Sequence, residues 1–207
     1  MEQRSEEWFA ARCGSLGASQ LNEALATTKN GWGASRENIK NRIIAERLTG
    51  SPTETFQNAA MAWGMATEED ARKAYEEATG TFVDEMGIAY HPALVYTHAS
   101  PDGLVGNDGL IEIKCPNTTT HIETLKAQKV PSKYMNQMLW QMRCVDRKWC
   151  DYVSFDPRLP KHLQLFIKRV DRDDAAIAEL EKKVAEFLTE VQNEIDNLNR
   201  RFSDDAE

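Results

Sequence analysis

Three charged residues lie in a hydrophobic stretch that is typical of a buried β-strand. In SPDGLVGNDGLIEIKCP, residues 100–116, Asp102 precedes Glu112 by ten positions, and Lys114 follows Glu112 by two. Two carboxylates on one face form a hard oxygen site for Mg²⁺ or Mn²⁺, which a backbone carbonyl such as that of Ile113 and water molecules can complete. A neighbouring ammonium group can polarise an attacking water and offset phosphoryl charge. The spacing therefore indicates metal-assisted hydrolysis.

A simpler interpretation of the same residues is structural. Asp102 lies beside a proline and a glycine, as turn residues often do, and Glu112 and Lys114 could form an exposed ion pair on an edge strand. However, hydrophobic residues flank the charges on both sides, and strand residues alternate between faces, which places Glu112 and Lys114 opposite Ile111 and Ile113. In a central strand, such charges must be paired or bind a metal.

The elements that must position these charges are an N-terminal helical part and a sheet. Hydrophobic periodicity and glycine or proline breaks predict helices at about 4–28 (broken by a glycine joint at 13–19), 36–48, 58–79, 133–145 and 173–200. Short β-branched and aromatic runs predict strands within 81–92, 94–106, 109–116, 148–157 and 163–171. The last helix carries an apolar stripe for core packing or a subunit interface.

The predicted fold class is α/β or α+β, with a mixed central sheet flanked by helices. The 207 residues suit a single domain, 1–207, with a helical part at about 1–80, a sheet core at about 81–171 and the C-terminal helix at about 173–200. No stretch is long and apolar enough for a membrane span, and no signal peptide is recognisable. The expected location is therefore the cytoplasm, without a membrane partner.

Composition limits the other site classes. Four widely spaced cysteines without a CxxC pair favour reduced thiols over disulfides or an iron–sulfur cluster, and four histidines without an HExxH pattern give no support for zinc. The net charge of −8 argues against a general polycation that binds nucleic acid, although a cleft or ring can concentrate basic residues on one inner face.

Asp102, the ten-residue spacing and Glu112 to Lys114 together resemble the PD-(D/E)XK nuclease signature, with Pro101 before the aspartate. Further blocks follow in order along residues 4–159: RSEEWFAARCGSLGASQ, AWGMATEEDARKAYEEATG, SPDGL, EIKCP, YMNQMLWQM and DYVSFDPRL. These blocks resemble the lambda exonuclease or YqaJ-like viral recombinase family, over about 5–171. The match is poorer in the last 35 residues.

The resemblance implies a restriction-endonuclease-like fold and Mg²⁺-dependent 5′-to-3′ digestion of one strand of double-stranded DNA, which leaves a 3′ tail for recombination. Mn²⁺ is a possible substitute for Mg²⁺. The implied catalytic and metal-binding residues are Asp102, Glu112 and the Ile113 carbonyl as ligands, Lys114 as catalytic lysine, Glu68 as a second-metal or water-orienting residue, and Gln137 near the nucleophile. From the residues alone, Glu68 is one acid on a charged helix and Gln137 a solvated helix residue.

The same resemblance implies a 5′-phosphate pocket made of Arg12, Ser19 and Ser100. An arginine fork suits bidentate contact with a terminal phosphate, and hydroxyl groups can supply further donors. The alternative for Arg12 is a surface ion pair with Glu6 or Glu7. Only an enzyme that starts at DNA ends needs such a pocket, so Arg12 separates end-dependent from internal cleavage.

The implied partners are DNA ends, two further copies of the chain in a homotrimeric ring around DNA, and a single-strand annealing protein. The implied setting is a bacterial host cell, with a phage or prophage gene. Candidate channel residues are Lys29, Arg36, Lys40, Arg42 and Lys129. The alternative functions are a structure- or sequence-specific endonuclease on the same fold and a catalytically silent DNA-end binding module.

Overall fold

The computed structural model describes residues 3–29, 31–53 and 59–203. The α-helices in this part are α1 Glu6–Arg12, α2 Leu21–Ala24, α3 Ala34–Thr49, α4 Ala59–Thr79, α5 Thr118–Ala127, α6 Met135–Val145 and α7 Asp174–Phe202. The strands are β1 Leu16–Gly17, β2 Thr27–Thr28, β3 Gly31–Trp32, β4 Val83–Asp84, β5 Ala89–Tyr90, β6 Thr97–Ala99, β7 Gly103–Val105, β8 Gly109–Lys114, β9 Trp149–Phe155 and β10 Leu165–Asp171.

The main sheet has five strands in the order β10-β9-β8-β7-β4. Strands β8 and β9 are parallel, whereas the other neighbouring pairs are antiparallel. The predicted α+β class with a mixed sheet is therefore confirmed. Because β8 lies between β7 and β9, the edge-strand interpretation of Glu112 and Lys114 is wrong.

The two faces of β8 contact different hydrophobic cores. Leu110 packs with α2, α3, α6 and α7 in the larger core, whereas Ile111 and Ile113 pack with Tyr75 of α4 in the smaller one. The apolar stripe of α7 belongs to the larger core, so it packs on the chain's own domain. The predicted alternation along β8 is confirmed, and it leaves Glu112 under the α6 side of the sheet.

A second sheet, in the order β1-β6-β5, corrects the sequence prediction for residues 13–19. The predicted glycine joint contains a two-residue strand, β1, which runs parallel to β6 and pairs Leu16 with Thr97 and Gly17 with His98. A two-residue strand is too short for alternation, so its pairing depends on a partner about 80 residues away. This pairing brings residues 12–19 beside residues 97–100.

Two other elements were not predicted. Helix α5 begins after Asn117, whose side chain accepts a hydrogen bond from the Thr120 amide, but its threonine-rich first turn has low intrinsic helix propensity. The β2–β3 hairpin has only two residues in each strand, which is too short for a recognisable alternation. The predicted helices at 36–48, 58–79, 133–145 and 173–200 match α3, α4, α6 and α7, although Asn58 lies outside the described residues. Gly50 and Gly80, both with positive φ, follow α3 and α4.

Among the described residues, no helix combines the length and the hydrophobicity that a membrane span needs.

Candidate active site

One cavity of about 160 Å³ collects most of the predicted site residues. Its walls include the three predicted phosphate-binding residues, Arg12, Ser19 and Ser100, and four predicted catalytic residues, Asp102, Glu112, Lys114 and Gln137. Glu68 lines two adjoining cavities, of about 530 and 680 Å³, and both also contain Asp102. The fold thus brings every predicted side chain to one connected region.

The Glu112 carboxylate is the centre of a dense hydrogen-bond network. Its side chain is only 1% exposed. Gln137 Nε2 donates to Oε1 at 2.6 Å, Gln141 Nε2 donates to Oε2 at 2.5 Å, and the Lys114 ammonium pairs with Oε1. Buried carboxylates require such partners because they have lost their hydration. The network holds Glu112 in one orientation toward the cavity.

Asp102 follows β6 and immediately precedes β7. Its Oδ2 accepts a hydrogen bond of 2.6 Å from the Ile113 amide, which ties the aspartate to β8. Burial raises the pKa of Asp102 well above its usual value, and the charges of Glu112 and Glu68 raise it further, against the opposing effect of Lys114. Burial and the neighbouring carboxylates therefore make a second negative charge at Asp102 unfavourable unless a cation is present.

Glu68 on α4 completes the acidic side of the site. Its Oε2 pairs with Arg4 Nη2 at 2.5 Å, and its Oε1 lies 3.5 Å from Arg72 Nη2. Glu68 is therefore not a fully solvated acid on a charged helix: its side chain is 16% exposed, and it lines cavities that Asp102 also lines.

Lys114 is the last residue of β8 and lies on the Glu112 face. Burial lowers its pKa, but the charges of Glu112 and Asp102 outweigh that effect and raise the pKa above its usual value. Lys114 is therefore an ammonium ion across the physiological range, suited to hydrogen-bond donation and charge stabilisation rather than to proton abstraction. Next to it, burial raises the pKa of Cys115 to about 12, so this thiol is neutral.

The donor set fits a hard divalent cation. Asp102, Glu112 and the Ile113 carbonyl would supply oxygen donors, and the pKa of Asp102, raised first by burial and then by the charge of Glu112, is a value that a bound cation would lower. Within residues 3–29, 31–53 and 59–203, no three His, Cys, Asp or Glu side chains form a complete metal cluster. A cation would accordingly rest on the carboxylate pair, the carbonyl and non-protein ligands.

A second group of residues in the same cavity surrounds Arg12. The guanidinium stacks on the Trp8 ring, with 3.8 Å from Cζ to the ring centroid. Trp8 Nε1 in turn donates to Ser100 Oγ at 2.9 Å. In the described part of the chain, no carboxylate lies within ion-pair distance of Arg12, so its predicted pairing with Glu6 or Glu7 is wrong. Burial and then the charge of Arg42 lower the pKa of Arg12 to about 10, which leaves it charged.

The two serines are placed differently. Ser19 is exposed at the cavity, in a short 3₁₀ turn, Ala18–Gln20, that leads into the four-residue helix α2. The Ser100 hydroxyl donates to the Gly87 carbonyl at 2.6 Å while it accepts from Trp8. Ser100 can therefore donate to a phosphate only if its hydroxyl turns away from Gly87.

Gln141 and Arg4 are among the side chains of this site that sequence analysis missed. Gln141 is fully buried and contacts Glu112. It could have been identified from its position four residues after Gln137, because residues four apart share a helix face. Arg4 lines the same cavity as Arg12 and pairs with Glu68, but a lone arginine near the start of a chain carries no pattern.

The candidate channel residues differ in their accessibility. Arg36 is 1% exposed, donates to the Ala24 carbonyl at 2.6 Å and pairs with Glu190, so its assignment to a DNA channel is wrong. Arg42 is engaged with Glu46 at 2.7 Å. Lys29 and Lys129 are exposed, and Lys40 pairs with Glu37.

Comparisons with known proteins identify relatives of the chain. The YqaJ-like viral recombinase domain matches residues 7–148. A crystal structure of an alkaline exonuclease, LHK-Exo, from Laribacter hongkongensis is 49% identical, with a TM-score of 0.88 over 95% of this chain and 97% of that chain. A structure of LHK-Exo in complex with dAMP has the same identity and coverage, with a TM-score of 0.89. A search of curated proteins gave no significant match.

A more distant structure supports the fold alone. A phage-related exonuclease from Haemophilus somnus 129PT is 17% identical, with a TM-score of 0.67 over 91% of this chain and 96% of that chain. The domain match covers more than half of the sequence and includes the α1 and β8 regions, and the 49% identity extends over nearly the whole chain. The chain therefore belongs to the YqaJ-like viral recombinase family.

Proposed function

We propose that the protein is a Mg²⁺-dependent exonuclease that degrades one strand of double-stranded DNA in the 5′-to-3′ direction from 5′-phosphorylated ends. The observation that carries this proposal is the shared cavity of about 160 Å³, whose walls include Arg12 together with Lys114 and Glu112. A cradle for a terminal phosphate beside a hydrolytic site has a use only if cleavage starts at an end. The relationship to an alkaline exonuclease, LHK-Exo, supports the same reaction.

In the proposed reaction, the 5′-terminal phosphate binds at Arg12 and Ser19. The next phosphodiester then lies at Lys114, whose ammonium donates to the attacking water or a phosphate oxygen and offsets the charge that develops in the transition state. Water adds to phosphorus, and the bond from phosphorus to the 3′ oxygen of the terminal nucleotide breaks. The products are a 5′-mononucleotide and a strand with a new 5′-phosphate.

Asp102, Glu112 and the Ile113 carbonyl would hold the Mg²⁺ ion, which Mn²⁺ could replace. When bound, the ion supplies charge stabilisation and a lower pKa for an attacking water. The chain's own contribution is orientation, because Gln137, Gln141 and Lys114 fix the Glu112 carboxylate and the Ile113 amide fixes Asp102. Glu68 assists in orienting water or a second ion.

The new 5′-phosphate can enter the same cradle, so each cut prepares the next. The remaining strand is a 3′ single-stranded tail, the substrate of a single-strand annealing protein in recombination. We also propose that three copies of the chain form a closed ring around DNA. Such a ring would keep a protein with a net negative charge bound to DNA if basic side chains line its channel. The proposal also includes the cytoplasm of a bacterial host as the place of action.

The test compares one plasmid as a linear duplex with 5′-phosphate ends and as a closed circle, each with Mg²⁺ and with EDTA. Strand-specific labels at the 5′ and 3′ ends report direction. We expect Mg²⁺-dependent loss of the 5′-ended strands of the linear form only, with mononucleotide products. The Lys114→Met variant is the matched control for contaminating nucleases.

Three other results would each overturn the proposal. Cleavage of the closed circle would identify an endonuclease. Early loss of the 3′ label would reverse the direction. Binding to linear ends without cleavage under any metal condition would identify a DNA-end binding module.

A further inference from the structure

His98 stands out among the buried polar residues because half of its ring has no partner. It lies at the centre of β6, is 2% exposed, and pairs across the sheet with Gly17. Its Nδ1 is 2.8 Å from Ser15 Oγ. Its Nε2 is fully buried and has no hydrogen-bond partner in the described part of the chain. Buried nitrogen atoms of native proteins are seldom left unpaired, so Nε2 has an unmet need for a partner.

The unpaired His98 nitrogen lies next to Gly17 and Arg12, and all three residues line the cavity of about 160 Å³. A Cβ atom added to Gly17 would lie 3.1 Å from His98 Nε2 and 3.4 Å from Arg12 Nη2. Both nitrogens thus lie within 3.4 Å of one point above the Gly17 backbone. Ser19, two residues further on, lines the same cavity. The absence of a side chain at Gly17 leaves a small cradle with nitrogen donors on two sides.

We infer that His98 is a binding residue for the terminal 5′-phosphate and donates a hydrogen bond from Nε2 to a phosphate oxygen alongside the Arg12 guanidinium. This inference rests on the proposed function, because it assigns a further contact in the same phosphate cradle. It also gives Ser15 a role as a positioning residue. If the Ser15 hydroxyl donates to Nδ1, the proton of the neutral ring must be on Nε2, where it faces the cradle.

The electrostatics of the pocket agree with a neutral donor. Burial, followed by the charges of Arg12 and Arg42, lowers the pKa of His98 to about 3. The ring therefore contributes a proton without a charge, and Arg12 supplies the charge. Hydrogen bonds to charged groups in buried sites are stronger than those between neutral groups, so one missing donor should be measurable.

The experiment uses two substitutions that retain different halves of the imidazole. His98→Asn keeps a polar atom near the Nδ1 position for Ser15 but removes the group that faces the cradle. His98→Gln places an amide nitrogen near the Nε2 position. Equilibrium binding of 5′-phosphate and 5′-hydroxyl duplexes is measured in EDTA, so that the result does not depend on catalysis. Initial digestion rates with Mg²⁺ are measured on the same substrates, and thermal unfolding checks folding.

We expect His98→Asn to lower the preference for 5′-phosphate ends by a factor on the order of ten to one hundred, the range for one hydrogen bond to a charged group. Binding of 5′-hydroxyl ends should be unchanged. His98→Gln should retain most of the preference. Gly17→Ala should lower the preference as well, because its methyl group occupies the cradle while the φ of −83° at Gly17 is one that alanine adopts without strain.

The outcomes separate the inference from the proposed function. If the wild type prefers 5′-phosphate ends and folded His98→Asn keeps that preference within about twofold, the role of His98 is refuted while the cradle stands. Equal losses in the Asn and Gln variants would show that His98 only supports the pocket and would also refute the inference. If the wild type does not distinguish the two ends, the phosphate cradle itself is wrong, and the inference fails with it.

Discussion

Gln141→Leu should separate activity from stability, because two energetic effects of this side chain oppose each other. Gln141 is fully buried, and its Nε2 donates to Glu112 Oε2 at 2.5 Å. Loss of a hydrogen bond to a charged group costs about 1.5–3 kcal/mol of folding free energy. However, Gln141 Oε1 is itself buried without a partner in the described residues, and removal of such an atom regains about 1–3 kcal/mol.

The net change in the free energy of unfolding should therefore be close to zero and within about 2 kcal/mol, or a shift in Tm of less than about 8 °C for a chain of this length. The effect on function should be larger, since Glu112 would keep only Gln137 and Lys114 as partners. Loss of a group that orients a metal-binding carboxylate typically costs about 10- to 100-fold in metal affinity or rate. We expect the Mg²⁺ concentration for half-maximal digestion to rise, or the maximal rate to fall, by that factor.

The assay is a Mg²⁺ titration of digestion rate on a linear 5′-phosphorylated duplex, beside urea and thermal unfolding of the same preparations. Gln192→Leu is the matched control, because Gln192 is an exposed helical glutamine whose amide donates to Asp196. A wild-type Mg²⁺ profile for Gln141→Leu would refute the reasoning that Gln141 orients Glu112. An activity loss matched by several kcal/mol of lost stability would refute the expected cancellation.

Three further predictions test separate parts of the structure. Lys114→Met should lower single-turnover cleavage on the order of 10²–10³-fold while DNA-end binding persists; unchanged cleavage would remove Lys114 from the mechanism. Arg36→Met should lower the free energy of unfolding by about 1–3 kcal/mol, because the hydrogen bond to the Ala24 carbonyl of α2 is lost. It should leave the salt dependence of DNA binding unchanged; a weaker dependence of affinity on salt concentration would show that Arg36 contacts DNA after all. Gly109→Ala should destabilise the protein by about 1–3 kcal/mol, because the added Cβ would lie 2.1 Å from the Trp149 ring. The control is Gly64→Ala, whose Cβ would meet nothing within 4 Å among the described residues beyond its own helix backbone, and equal Tm values for the two variants would contradict the clash.

The parts of the fold that sequence predicted correctly have local periodic signals. Strand β8 alternates over six residues, and α7 repeats its apolar residues through 29 residues, so each pattern can be recognised without knowledge of its neighbours. Strand β1 has two residues and exists only because Leu16 and Gly17 pair with β6. The sequence around residues 13–19 does not indicate a pairing with a strand about 80 residues away, so from sequence this segment is interpreted as a turn between helices.

The residues of the candidate site also fall into two groups, those that could be identified from sequence and those that could not. Asp102, Glu112 and Lys114 could be found because charges in a hydrophobic strand are unusual, and Arg12, Ser19, Ser100, Glu68 and Gln137 were found by family resemblance. His98 could not be found, since a single histidine in VYTHASP has many ordinary structural explanations. Its significance lies in an unpaired Nε2 and in the nearness of Gly17, which are properties of the folded pocket.

Two groups of residues in the shared cavity have opposite electrostatic effects on the phosphates of a DNA strand. In one group, Arg12 carries a positive charge without a carboxylate partner among the described residues, so a terminal phosphate is attracted there even without a metal ion. In the other group, Asp102 and Glu112 are buried carboxyl groups, and burial followed by the charge of Glu112 raises the pKa of Asp102 well above its usual value, because a second negative charge is unfavourable there. A second phosphate cannot approach two carboxylates closely unless a cation lies between them. End recognition should therefore be independent of metal, whereas entry of the scissile phosphate should require it.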